Sequence, residues 1–138
     1  MIYKKILSGW GNNIVVNSNA FYPKNETDIL NYFNKKKAKS ITHALGRSYG
    51  DSSLYHNVIN LKNFEKKIIF NEHDGIIKCS SNFSIKEILK IIIKKGWFLN
   101  VTPGSKYITI GGAIASDVHG KNHHKDGSFC DHLISLNI

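Results

Sequence analysis

Arginine is almost missing from this 138-residue chain: of 19 basic residues only Arg47 is an arginine. The net charge of +9 therefore does not read as a nucleic-acid footprint. Proteins that grip phosphates and base edges by bidentate contacts favour arginine, and the lysines here are scattered, with only short clusters such as Lys35–Lys37. Cysteine is scarce too. Cys79 and Cys130 are too few for a disulfide framework or a zinc site, and they suit a reducing compartment. No apolar run approaches the roughly 20 residues of a membrane span. The N-terminus, Met-Ile-Tyr-Lys-Lys-Ile-Leu-Ser, has neither the apolar core nor the cleavage site of a signal peptide. The expectation is a cytoplasmic protein without a transmembrane segment, membrane-associated only through whatever it acts on. What is present, 41% hydrophobic residues in 15.6 kDa, is enough for one cored domain and too little for two ordinary ones.

In chain order, Ser8-Gly-Trp-Gly reads as an irregular docking segment and Ile14–Val16 as a short strand. Asn25 can cap a helix whose apolar stripe is Ile29, Leu30, Tyr32 and Phe33, with lysines 35 to 37 at its negative end. Ser40–Leu45 and Asn57–Leu61 read as strands. Ile68–Phe70 and Ile76–Cys79 read as a hairpin about Asn71–Gly75. Ser84 and Glu87 form a capping box for a helix to Lys95, stopped by Gly96. Trp97–Val101 reads as extended, with Trp97 and Phe98 in the core. The apolar Leu133–Ile138 reads as a strand running out with the chain, which suggests a piece of something longer.

Two glycine-bearing segments carry candidate chemistry. Gly46-Arg-Ser-Tyr-Gly-Asp51 can turn successive backbone N–H groups toward an anion, or it is a tight turn between strands. Thr109 can cap a helix from Ile110 through Gly111 and Gly112 to His119. Glycines inside a helix cost about 1 kcal/mol each relative to alanine, a cost that makes sense where the backbone must approach a bulky partner. A diphosphate at that helix N-terminus and close packing on a neighbouring element serve equally as the reason. The pattern is neither a Rossmann fingerprint nor a Walker motif. Four of the seven histidines lie between His119 and His132. His119 and His123 have helical spacing, but Gly120 interrupts and no glutamate stands where a zinc protease needs its base, so no metal site is expected.

Three segments together resemble one family. His43-Ala-Leu-Gly-Arg-Ser-Tyr-Gly-Asp51, Pro103-Gly-Ser with Ile110-Gly-Gly-Ala-Ile-Ala, and Asp117-Val-His-Gly-Lys-Asn-His-His124 followed by Gly127-Ser-Phe closely resemble the decaprenylphosphoryl-ribose oxidases. These are flavoproteins of the vanillyl-alcohol oxidase/p-cresol methylhydroxylase superfamily. Gly9-Trp-Gly11 also looks like the family's N-terminal segment. The resemblance runs collinearly along nearly the whole chain, and the His-Gly-Lys-Asn-His-His run is its specific part.

The resemblance implies an α+β, PCMH-type FAD-binding domain of two α+β subdomains, C-terminally truncated. Residues 1–60 would form the first subdomain and 61–138 the start of the second, with FAD held between them. Gly46, Arg47, Ser48, Tyr49, Gly50 and Asp51 would cradle the diphosphate. Gly104, Thr109, Gly111 and Gly112 would line its other side, and Ser116, Asp117 and His119 would run toward the flavin ring. His119 would help orient a sugar and Lys121 would pair with its phosphate. Members that attach FAD covalently carry histidine where this chain has Arg47, so noncovalent FAD is implied; the usual Arg-Gly is His43-Ala44 here. The implied substrate is a sugar alcohol, small or lipid-phosphate-linked, oxidised by hydride transfer to the flavin. The implied partners are a separate chain carrying the substrate domain and a short-chain reductase of the same pathway, with no nucleic acid. An aldonolactone or alditol oxidase and a noncatalytic binding remnant are the competing readings.

Overall fold

The computed structural model describes residues 2–35 and 39–137; Lys36, Lys37 and Ile138 lie outside them. The chain divides into two compact units, residues 1–65 and 66–138.

The first unit begins with a strand the sequence reading missed. β1 (Ile2–Ser8) pairs antiparallel with β2 (Val15–Phe21), Ile2 opposite Phe21 and Ser8 opposite Val15. The lysines and the polar Asn17–Asn19 hid this hairpin from a periodicity argument, because nearly all of β1 is exposed. α1 (Glu26–Lys35) starts where expected, with Asn25 Oδ1 accepting from the Asp28 N–H at 2.9 Å. Its stripe is narrower than the sequence suggests. Tyr32 is buried against Phe21 of β2, whereas Leu30 and Phe33 stay 64% and 48% exposed. Two short strands complete the sheet, β3 (Ile41–Thr42) and β4 (Asn57–Ile59), in the order β1-β2-β4-β3, with β4 parallel to both neighbours. β3 stops early because side chains replace the ladder: Asn60 Nδ2 donates to the Ala44 carbonyl at 2.9 Å and Arg47 Nη1 to that of Leu45 at 3.0 Å. The core is Phe21, Tyr32 and Ile59, the two rings stacked 4.5 Å apart.

In the second unit the expected hairpin forms, β5 (Ile68–Asn71) against β6 (Ile76–Cys79), with Asn71 already in the ladder opposite Ile76. α2 (Ile85–Ile92) puts Ile85, Ile88 and Ile92 at 1% exposure, continues as a short 3₁₀ turn to Lys95, and ends at Gly96 in the left-handed conformation. Trp97 and Phe98 are not core residues. They are 37% and 59% exposed and line an apolar cleft of about 280 Å³ over Phe70, Ile88 and Ile92. α3 is only Ile110–Ala115, followed by the single turn α4 (His123–Asp126). After a 3₁₀ turn at Cys130–His132, residues 133–137 form no strand.

The α2 capping box gives a pH-dependent prediction. Desolvation opposes ionisation of Glu87, but hydrogen bonds from Lys66 at 2.5 Å and from the Ser84 N–H and hydroxyl outweigh it and lower its pKa to about 2. A lowered folded-state value means stability present above the ordinary carboxylate range, near 4.3, and lost as pH falls toward 2. With the side chain 42% exposed, solvent screening limits the effect to about 1 kcal/mol. Glu87→Gln is expected to flatten the acid limb of stability between about pH 4.5 and 2, read as urea midpoints; an unchanged limb would remove Glu87 as its source.

Candidate cofactor site

In the first unit the site is built where β1 runs into Gly9-Trp10. Trp10 N donates to the Ser48 carbonyl at 2.9 Å, and a Cβ on Gly9 would lie 2.6 Å from the Gly50 carbonyl oxygen and 2.7 Å from that of Ser48. The segment 46–51 therefore rests with its carbonyls against bare backbone. Gly46 and Gly50 both have positive φ, +64° and +63°. Among the described residues, none of the N–H groups of Gly46, Arg47, Ser48, Tyr49, Gly50 and Asp51 donates to a protein acceptor. Donors left open while the Ser48, Tyr49 and Asp51 carbonyls are engaged are what an anion cradle requires. Arg47 lies over the Trp10 ring at 5.1 Å, and Tyr49 is 82% exposed. A cleft of about 420 Å³, lined by Ser8, Trp10, Asn12, His43, Gly46 and Arg47 among others, has no carboxylate on its wall.

In the second unit the helix N-terminus does not offer what the sequence suggested. Ile110 N donates to the Phe83 carbonyl at 2.7 Å, Gly111 N to that of Ser81 at 2.8 Å, and Gly112 N to Thr109 Oγ1 at 3.1 Å. All three donors are engaged inside the protein, and a Cβ on Gly111 would meet Ser81 Cβ at 3.0 Å. Packing of α3 on the 81–83 segment thus accounts for Gly111. The open donors lie earlier: among the described residues the N–H groups of Gly104, Ser105 and Lys106 have no protein acceptor.

α3 ends at Ala115, not at His119, in a left-handed C-cap. Asp117 takes φ +40°, its N–H donates to the Ile114 carbonyl and the Val118 N–H to that of Ala113. An aspartate tolerates this conformation better than most residues, and its carboxylate accepts from Cys130 N at 3.0 Å. Hydrogen bonds from the Ser128 side chain and from Cys130 lower the Asp117 pKa. Ser116 caps the helix and is exposed. His119 pairs across a single β-bridge with Ser128. Its ring sits 5.3 Å from that of His123, although no helix joins them. His119 and Lys121 are both exposed. Among the described residues no group of three or more metal-ligating side chains is gathered.

A family model described as an FAD binding domain matches residues 20–138. The chain belongs to that family. Its fold is the α+β, PCMH-type FAD-binding fold and its cofactor is FAD. It is 33% identical over 100 residues to the decaprenylphosphoryl-beta-D-ribose oxidase of Mycolicibacterium smegmatis (strain ATCC 700084 / mc(2)155), covering 71% of this chain and 22% of that protein. It is 38% identical over 55 residues to an uncharacterized protein in the mprA 5′ region of Streptomyces coelicolor, covering 40% of this chain and 15% of the other. Cholesterol oxidase from Brevibacterium sterolicum shares the fold with a TM-score of 0.74 over 87% of this chain and 25% of its own, at 16% identity. Alkyldihydroxyacetonephosphate synthase does so with a TM-score of 0.65 over 84% of this chain and 24% of its own, at 18% identity. The chain thus spans about a quarter or less of each of these relatives. No helix among the described residues is long and apolar enough to cross a membrane.

The residues present fit a flavin dinucleotide. The open N–H groups of 46–51, Arg47 and a cleft wall free of carboxylates suit a diphosphate. Sequence reasoning missed two features. Ser105 and Lys106 belong with Gly104 as bearers of open N–H groups, and His43, 6% exposed on the cleft wall, was noted only as a departure from the family pattern. Burial of a histidine in a strand-to-loop segment leaves no signal in periodicity.

Proposed function

We propose that this chain is the FAD-binding portion of an oxidoreductase that oxidises a sugar hydroxyl of a polyprenyl-phosphate-linked pentose. The observation carrying this reading is the 46–51 loop, seated on Gly9 with its N–H groups open and the chain's sole arginine beside them. The substrate class rests on the likeness to an oxidase named for decaprenylphosphoryl ribose. FAD, when bound, supplies the hydride acceptor. Within this reading, the N–H groups of 46–51 and the Arg47 guanidinium hold phosphate oxygens noncovalently. Thr109 keeps Gly111 and Gly112 in place by capping α3, while Ser116 and Asp117 fix the turn that presents His119. His119 hydrogen-bonds the sugar and Lys121, exposed and cationic, pairs with its phosphate. A separate chain would bring the substrate domain.

Arg47→Met keeps the stem over Trp10 and removes the charge. Losing a charge-assisted hydrogen bond is worth about 1.5–3 kcal/mol, so FAD affinity is expected to fall roughly 10- to 100-fold, measured by quenching of flavin fluorescence. A wild-type chain that retains no flavin after gel filtration from excess FAD would sink the reading and favour a noncatalytic module.

A further inference from the structure

His43 is the most buried titratable side chain on the wall of the first unit's cleft. It is 6% exposed, and its backbone N–H is fixed by the Ile59 carbonyl at 3.0 Å. Nδ1 lies 2.9 Å from the Ser53 carbonyl. A carbonyl only accepts, so in the uncharged imidazole the proton sits on Nδ1 and Nε2 carries the lone pair. That nitrogen has no hydrogen-bond partner among the described residues. It lies on the side of the ring facing Gly46, where a Cβ would be 3.5 Å away. Around it the cleft wall offers donors in the open N–H groups of Gly46 and Arg47 and in the Arg47 guanidinium, while the Ser8 hydroxyl is spent on Asn12 Oδ1 at 2.6 Å. A lone-pair acceptor in a donor-rich cleft selects a ligand that carries hydroxyl groups as well as phosphate.

We infer that His43 is a ligand-binding residue of this chain, accepting at Nε2 a hydrogen bond from a ribityl or ribose hydroxyl of the flavin cofactor. The inference deepens the FAD reading and rests on it. The groups around the imidazole are the Ser53 carbonyl and hydroxyl, Gly46 and Arg47 on its own loop, and Ser8 and Asn12 on the cleft wall.

Two isosteric changes separate the roles. His43→Asn retains a donor for the Ser53 carbonyl and loses the acceptor; His43→Gln retains an acceptor near Nε2. FAD is titrated into the full chain at pH 8 and followed by flavin fluorescence. His43→Asn should bind about 3- to 10-fold more weakly than wild type, the worth of one neutral hydrogen bond. His43→Gln should bind like wild type. Circular dichroism checks that both variants fold. Parallel titrations with FMN and ADP tell whether the hydroxyl is ribityl or ribose. FAD bound equally by wild type and His43→Asn overturns the assignment while leaving the FAD reading intact. No binding by wild type overturns both.

Discussion

Gly9→Ala is expected to lower FAD affinity by roughly 10- to 100-fold, with a loss of about 1–3 kcal/mol in the stability of the first unit. The added methyl would sit 2.6 and 2.7 Å from the carbonyl oxygens of Gly50 and Ser48. Both obstacles are backbone, so no rotamer change relieves them. The segment 46–51 must lift away, and the Trp10 N–H to Ser48 carbonyl bond, 2.9 Å long, stretches with it. Lifting turns the loop out of the conformation that leaves its own N–H groups open, which is why the effect on binding is expected to be at least as large as that on folding. Gly11→Ala is the internal control. Its Cβ would meet only the Asn13 side chain, at 3.3 Å, so near-wild-type affinity is expected. Urea unfolding and flavin titration of the two variants read both quantities. Equal affinity for Gly9→Ala and wild type would show that the loop is not seated by that close approach.

The contrast between these two glycines shows what was legible in the sequence. Gly9-Trp-Gly11 stood out as a pattern, yet nothing in it tells which glycine touches another strand of chain. Local signals were read well wherever the structure is local. Asn25, Ser84 with Glu87, Gly96 and the Asn71–Gly75 turn all act through partners within a few residues, and each sits where it was expected. Non-local pairing was read poorly. β1 was missed because its partner strand is polar and its faces are exposed, so it lacks the alternation by which a half-buried strand announces itself. Thr109 was correctly read as a cap, but the fate of the N–H groups it precedes depended on Phe83 and Ser81 carbonyls that lie far back in the chain. The helix was also read too long, since an aspartate rather than a glycine holds the left-handed stop at Asp117. For the candidate site, the sequence pointed to the 46–51 loop as a whole; the unexpected parts, His43 and the donors at Ser105 and Lys106, are features of burial and open hydrogen bonding, which single residues do not reveal.

Gly127→Ala is expected to be the more damaging change, costing the second unit about 2.5–6 kcal/mol. Gly127 has φ +71° and ψ −154°, a region open to glycine and strained by roughly 1–3 kcal/mol for other residues. An added Cβ would also run into the Asp131 carboxylate. That carboxylate accepts from Ser128 N at 2.7 Å and from Ser128 Oγ at 3.2 Å, and displacing a charged acceptor from such bonds adds about 1.5–3 kcal/mol. Ser128 is the bridge partner of His119, and the next N–H, of Phe129, donates to the Val118 carbonyl at 2.8 Å. The damage therefore reaches the segment that presents His119. Asparagine, which substitutes for glycine in left-handed turns, is expected to fare no better, because ψ −154° lies far from the left-handed helical region near +47°. Asp131→Asn leaves the space open and removes only the charge, so it should cost about 1–2 kcal/mol. Amide exchange at Phe129 distinguishes the two causes: fast in Gly127→Ala and slow in Asp131→Asn if backbone strain leads, fast in both if the carboxylate does. A Gly127→Ala protein with wild-type stability and slow exchange at Phe129 would show that the loop can be closed without a glycine there.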